Sequence, residues 1–144
     1  MSSAVVTTID IAAPPEAVWD VVMDAGRLHE WVTIHRKLGE HNATEMDQTL
    51  CVRGVNFHVR WELAASDRPN HALWKGRGPA RSRAETEYRL KSIDGGTRFE
   101  YRNDFKAPLG PLGAVASRAL VGGIPEREAN ASLERLKRLV ERPS

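Results

Sequence analysis

Apolar and polar residues alternate through most of the middle of the chain, as they do in strands with one buried and one solvated face. The clearest run is residues 55–63, where Phe57, Val59 and Trp61 are separated by single polar residues. Because short turns separate such runs, the pattern predicts an antiparallel sheet. The other predicted strands are residues 5–11, 71–78, 82–93 and 97–106, with weaker ones at residues 36–40 and 46–53.

Helical spacing precedes this region of strands. Pro15 and Glu16 suit the first turn of a helix, because proline's missing N–H costs nothing there and a carboxylate meets the positive end of the helix dipole. We expect this helix to end near Met23 and a second brief helix to end near Trp31.

A long helix is predicted at the end of the chain, over residues 112–141. Its buried stripe is formed by Ala129, Leu133, Leu136 and Val140. Because a proline inside a helix removes a hydrogen bond and clashes with the preceding turn, we expect a kink or a break between Gly122 and Pro125.

Length and composition bound the class of protein. The chain has 144 residues, of which 41% are hydrophobic and 28% charged, which suits one globular domain over residues 1–144. The net charge is +2 and the cations are spread along the sequence, so charge alone indicates no partner.

Several classes of site have no support in the sequence. The single cysteine, Cys51, forms no internal disulfide, and the five histidines show no metal-ligand spacing, so we expect no metal and no cofactor. The chain has no secretory leader and no apolar run of about 18 residues, which predicts a cytoplasmic protein without an integral membrane segment. Mixed charges on the outer strand positions disfavour nucleic-acid binding.

Three segments match packing and turn positions of one superfamily. They are residues 9–19, which read Ile-Asp-Ile-Ala-Ala-Pro-Pro-Glu-Ala-Val-Trp; the pair Leu28 and Trp31; and residues 133–141, which read Leu-Glu-Arg-Leu-Lys-Arg-Leu-Val-Glu. On these residues the chain resembles the START-like superfamily, also called SRPBCC, in its branch of polyketide cyclase/dehydrase and lipid-transport proteins. The resemblance covers essentially the whole chain. It implies an α+β helix-grip fold, with a curved antiparallel sheet wrapped around a long C-terminal helix.

The predicted inner face of the sheet carries large side chains, whereas the terminal helix is rich in glycine and alanine. Small residues cannot fill the space against such a sheet, and an empty cavity costs about 24 cal/mol per Å3, so a persistent one indicates a bound guest. Trp31 suits the core and a ligand contact equally well, whereas for Trp61 and Trp74 packing against the helix is favoured over a ligand contact. The candidate ligand-binding residues are Trp31, Phe57, Trp61, Trp74, Thr86, Tyr88, Tyr101, Asn103 and Phe105.

Three functions fit these observations. The first is binding of a small hydrophobic ligand, such as a lipid or a polyketide-like metabolite, between sheet and helix, with residues 108–125 as a lid. The second is an enzyme resembling the polyketide aromatase/cyclases, in which Tyr88, Tyr101 or an inward-facing Arg53 would move protons. The third, implied by the resemblance, is a coenzyme Q-binding or other partner-binding module. The sequence predicts neither the identity of the ligand nor the oligomeric state, and it assigns no catalytic residue.

Overall fold

The computed structural model describes residues 2–106 and 126–142. In these residues the strands form one seven-stranded antiparallel sheet, in the order β1-β7-β6-β5-β4-β3-β2. The strands are β1 (Ser2–Ile11), β2 (His35–His41), β3 (Glu45–Val52), β4 (Val55–Asp67), β5 (His71–Arg77), β6 (Arg83–Ile93) and β7 (Gly96–Lys106). The helices are α1 (Pro15–Val22), α2 (Leu28–Trp31) and α3 (Glu126–Glu141), with 3-10 turns at Ala25–Arg27 and Pro79–Arg81.

The alternation of apolar and polar residues predicts the strands correctly, including the two weaker ones. In β4, Phe57, Val59 and Trp61 are buried while the polar residues between them are exposed. The strand extends beyond the predicted end at residue 63, to Asp67. Its last residues are exposed and follow a bulge after Leu63, so the alternation that marks the buried part stops before the strand does.

The C-terminal helix packs against β1 and α2. The predicted stripe is confirmed, because Ala129, Leu133 and Leu136 are fully buried and Val140 is half-buried. The arrangement is the α+β helix-grip fold, in which the sheet presents its inner face to the helices. The predicted part of this helix before residue 126, its kink, and the predicted lid at residues 108–125 lie outside the described residues.

Hydrogen bonds hold α3 against the segment that joins α2 to β2. The Thr33 hydroxyl donates to Glu128 Oε2 at 2.6 Å, and the Thr33 backbone N–H donates to Ser132 Oγ at 3.0 Å. At the other end of the helix, the Ala12 N–H donates to Glu141 Oε2 at 2.7 Å. Both ends of α3 are therefore fixed to segments that adjoin strands of the sheet.

None of the helices within residues 2–106 and 126–142 combines the length and the apolar character that are needed to cross a bilayer.

Candidate ligand-binding cavity

A cavity of about 80 Å3 lies between the inner face of the sheet and residues 28–34. Its walls are mainly apolar, with a few polar groups contributed by β3, β6 and β7. Its volume is about half that of an engineered cavity of about 150 Å3 that accepts benzene, so a larger ligand must displace lining side chains. The apolar part of the lining includes Leu28, Val32, Ile34, Met46, Leu50, Val52, Phe57, Val59, Trp61, Trp74, Ala84 and Phe105.

The indole of Trp61 forms part of the cavity wall, and Gly76 provides the space for it. These residues are register partners on β4 and β5. A Cβ on residue 76 would lie 2.8 Å from Trp61 Cε3 and 2.7 Å from Val59 Cγ1, closer than real Cβ atoms approach other atoms. The glycine therefore allows the ring to lie across the neighbouring strand.

A polar relay runs from the cavity wall to His35. The Trp61 Nε1–H donates to Gln48 Oε1 at 2.8 Å, and Gln48 Nε2 lies 2.8 Å from His35 Nδ1. Because an indole N–H can only donate, the amide oxygen of Gln48 must face Trp61 and its NH2 must face His35. His35 Nδ1 is therefore the acceptor, and the ring is neutral with its proton on Nε2.

The surroundings of His35 favour this neutral form. Burial lowers the pKa of the imidazole below its ordinary value of 6.5, and the nearby His29 lowers it further. At neutral pH the relay is thus intact, and it fixes the orientation of two residues in the cavity wall, Gln48 and Trp61.

The Asn103 carboxamide has a fixed orientation and an unused donor. Thr86 and Asn103 are register partners on β6 and β7, and the Thr86 hydroxyl donates to Asn103 Oδ1 at 2.9 Å. Asn103 Nδ2 is buried and has no hydrogen-bond partner among the described residues. Since the oxygen is held by Thr86, the NH2 group is the part of this cavity-lining residue that remains for a ligand.

Tyr88 and Tyr101 are also register partners, and both line the cavity. Burial raises the pKa of Tyr88 well above 10.0 and that of Tyr101 to about 12, and the nearby Asn103 amide partly offsets the effect for Tyr101 although no hydrogen bond of ordinary geometry joins the two side chains. Both hydroxyls therefore stay protonated at neutral pH and can donate hydrogen bonds. Their rings pack in one cluster with Trp31 and Phe99, at centroid distances of 5.5 to 6.3 Å.

Two further buried polar atoms of the cavity lining, Ser82 Oγ and Asp104 Oδ1, have no hydrogen-bond partner among the described residues. Most buried polar groups in proteins are paired, because an unpaired one costs roughly 1 to 3 kcal/mol. Unpartnered polar atoms on an apolar cavity are expected where a ligand or trapped water completes the hydrogen bonding.

The structure brings together all of the predicted ligand-binding residues except Trp31, which does not line the cavity. Trp31 is fully buried behind the wall, edge-on to Phe99 and Tyr101. Of the two alternatives for Trp31, the core position is therefore the one observed. Its indole Nε1 is buried without a partner among the described residues.

Sequence reasoning missed Gln48, His35 and Ser82. Gln48 lies two residues after the buried Met46 on the weakly predicted strand β3. Because residues two apart share a face, its position on the inner face could have been found from the alternation. His35 and Ser82 gave no comparable signal. The prediction that Arg53 faces inward is wrong, because this residue is exposed in the turn between β3 and β4, with a φ of 50°.

The structure provides no group of three or more His, Cys, Asp or Glu side chains able to hold a metal ion in the described parts of the chain.

The cavity lies in a fold that matches a known family along almost the whole chain. The family described as polyketide cyclase / dehydrase and lipid transport matches residues 3–141. The chain belongs to this family. Membership supports a hydrophobic-ligand-binding or cyclase-like role and leaves the ligand open.

Two relatives from Mycobacterium tuberculosis strain H37Rv cover most of the chain. Toxin Rv0910 is 27% identical over 131 residues, covering 85% of this chain and 91% of the relative. The uncharacterized protein Rv1546 is 25% identical over 132 residues with the same coverage.

Solved structures agree with the fold. The ZhuI aromatase/cyclase from Streptomyces sp. R1128 superposes with a TM-score of 0.76 at 20% identity, covering 99% of this chain and 95% of the other. A START superfamily protein from Mycobacterium smegmatis gives a TM-score of 0.67 at 14% identity, with 96% and 94% coverage. At these identities the likeness concerns the fold alone.

Proposed function

We propose that this protein binds a small, mostly apolar molecule that carries a hydrogen-bond-accepting oxygen, in the cavity between the sheet and residues 28–34. The observation that carries the proposal is the Asn103 amide, whose oxygen is held by Thr86 and whose buried Nδ2 has no described partner. Family membership and the apolar lining support the same conclusion.

The donors around Asn103 indicate the chemistry of the ligand. The hydroxyls of Tyr88 and Tyr101 remain protonated because burial raises their pKa values. An amide NH2 and two phenol groups in an apolar wall favour a carbonyl, ether or carboxyl oxygen. The aromatic and aliphatic side chains of the cavity would then cover the rest of the molecule.

A cyclase-like enzyme is the second candidate, and it would use the same cavity. The observation that favours it is the pair of tyrosine hydroxyls, which could polarise a carbonyl or deliver a proton. The raised pKa values make both phenols poor bases, so the removal of a proton from carbon would need another group. We therefore favour binding, for which the donors are sufficient. The coenzyme Q-binding or partner-binding alternative rests on the family resemblance alone.

Native mass spectrometry of the purified protein, followed by solvent extraction, tests the proposal. We expect a bound molecule that leaves when the cavity is filled by Ala84→Leu, since Ala84 lines the cavity. Ala64→Leu is the matched control, because Ala64 is exposed on β4. A folded wild-type protein that carries no ligand and binds none from a panel of apolar carbonyl compounds would contradict the proposal. Turnover of such a compound, abolished by replacing both tyrosines with phenylalanine, would favour the enzyme.

A further inference from the structure

Four basic residues lie side by side across one end of the sheet. Arg60 on β4 faces Arg77 on β5, Arg77 faces Arg83 on β6, and Arg83 faces Lys106 on β7. All four are exposed, and residues directly opposite each other in a sheet share a face. We call Arg77, Arg83 and Lys106 the basic row.

The basic row is unusual because its charges are not balanced. Arg60, the fourth cation, forms ion pairs with Glu45 and Asp47. The three members of the basic row have no ion pair with a described carboxylate, and like charges directly opposite each other in a sheet are destabilising.

Three of the four other cations on the outer face of β6 and β7 are paired, in contrast to the basic row, and Lys91 is the exception among the described residues. The pairs are Arg89 with Glu87 and Glu100, Arg98 with Asp10, and Arg102 with Asp104.

The whole end of the sheet is basic. The segments that form it, residues 49–60, 76–84 and 105–106, contain no Asp or Glu. The nearest carboxylates are Asp47, which faces Arg60 from β3, and Glu62, Glu85 and Asp104 in the next row inward, which also holds Lys75. The cations are therefore the outermost charges at this end.

Two turns extend this basic end. The turn between β3 and β4 presents Arg53, and the turn between β5 and β6 presents Arg81. Both arginines have positive φ angles, of 50° and 67°, a conformation that glycine adopts at lower cost. A cation is thus present in each turn where the backbone favours glycine.

Exposed apolar groups accompany these cations. Val55 is 44% exposed beside Arg53, and Pro79 is exposed in the second turn. Aliphatic groups between cations suit the interface of an anionic bilayer. Stacking on nucleic-acid bases would need exposed aromatic rings, but every Trp, Tyr and Phe of the chain is buried or half-buried.

The cavity reaches this end of the sheet. Gly78, Pro79, Ser82 and Arg83 belong to its lining, and Arg83 also belongs to the basic row. A surface that contacts the basic end would therefore lie beside one wall of the cavity.

We propose that the basic end docks on the surface of an anionic phospholipid bilayer, with the basic row and the two turns facing the headgroups. The proposal rests on the proposed function, in that docking would place the ligand cavity next to the lipid phase from which an apolar ligand partitions. Phosphate groups would supply the counter-charge that the basic row lacks in the described residues.

Vesicle co-sedimentation tests the docking. We expect the full chain to bind vesicles of phosphatidylcholine with about a quarter phosphatidylglycerol, to bind pure phosphatidylcholine weakly, and to dissociate at about 0.5 M NaCl. The variant R77Q/R81Q/K106Q should lower the affinity for anionic vesicles roughly a hundredfold. Arg83 is left unchanged because it also lines the cavity.

The matched control is K91Q/R135Q/R142Q, which removes the same charge from exposed positions away from the basic end. The proposal is overturned if this control loses as much affinity as the test variant. Equal binding to neutral and anionic vesicles overturns it too, as does tighter binding to a single-stranded RNA oligonucleotide than to anionic vesicles.

Ligand binding measured without vesicles separates this proposal from the proposed function. If R77Q/R81Q/K106Q keeps its affinity for an apolar ketone in solution but no longer binds anionic vesicles, the docking proposal is supported. If the wild-type protein binds no apolar ketone yet still binds anionic vesicles through the basic end, the docking surface stands and the proposed function fails.

Discussion

The indole of Trp61 lies against Gly76, where a Cβ would come within 2.8 Å of the ring. This contact places a large apolar surface across two strands at the wall of the cavity. Because Trp61 also donates to Gln48, its ring is held from both its face and its nitrogen. The width of the cavity at this point depends on a residue that has no side chain.

Gly76→Ala should displace the Trp61 ring and lower the free energy of unfolding by about 1 to 3 kcal/mol, the usual cost of overpacking a core. Denaturation followed by tryptophan fluorescence measures both effects. Gly26→Ala is the control, because its Cβ would meet only the end of the Asp24 side chain, at 3.3 Å. Equal effects of the two substitutions would show that Gly76 does not position the ring.

Replacing both members of the Thr86–Asn103 pair separates the contribution of the pair to ligand binding from its contribution to the stability of the fold. In Thr86→Val/Asn103→Leu two polar groups that bond each other are removed together, so we expect a nearly unchanged free energy of unfolding. Asn103→Leu alone leaves the Thr86 hydroxyl without its acceptor and should cost about 1 to 3 kcal/mol. Both variants should lose affinity for oxygen-bearing ligands. A double variant that unfolds easily would assign the pair a structural role instead.

Acid should weaken the fold through His35. Its pKa in the folded protein is below the ordinary 6.5, so the unfolded chain takes up this proton first as the pH falls. The contribution of His35 is complete above about pH 6.5 and declines as the pH drops toward the folded pKa. Because His35 is only half-buried, solvent screening makes this slope shallower than the one-proton limit.

Urea denaturation at a series of pH values measures this slope. His35→Asn keeps an acceptor for Gln48 and should flatten the dependence of stability on pH. A slope that persists in His35→Asn would contradict the relay.

The tyrosines should resist ionisation. The chain has two, Tyr88 and Tyr101, and burial raises both pKa values above 10.0. Phenolate absorbance of the folded protein should stay flat to about pH 11, while the denatured chain titrates near pH 10. Their contribution to stability is complete below pH 10 and is lost as the pH rises, so alkaline unfolding should accompany the absorbance change. A phenolate signal near pH 10 in folded protein would show that a hydroxyl reaches solvent.

The strands and the apolar face of α3 could be predicted because their signals are local. Alternation alone places Phe57, Val59 and Trp61 on the buried face of their strand, independently of the rest of the chain. The spacing of Leu133 and Leu136 likewise defines a buried stripe on α3. The same alternation placed Thr86 and Asn103 on one face, which made their contact predictable once β6 and β7 were taken as a hairpin.

Other features depended on contacts between distant parts of the chain. Gln48 became recognisable as a wall residue only when Trp61 and His35 were seen on either side of its amide. Arg53 was predicted to face inward, but the turn between β3 and β4 begins just before it. The basic row could not be anticipated from net charge, because it forms only when three strands come into register.

The most direct test of the central claim compares two isosteric one-ring probes, acetophenone and 2-phenylpropene, by isothermal titration. If Asn103 donates to a ligand oxygen, the ketone should bind about tenfold more tightly than the hydrocarbon, as one hydrogen bond of about 1.4 kcal/mol predicts. Asn103→Leu should abolish the difference without abolishing hydrocarbon binding. Equal affinities of the wild-type protein for the two probes, or no binding of either, would contradict the account.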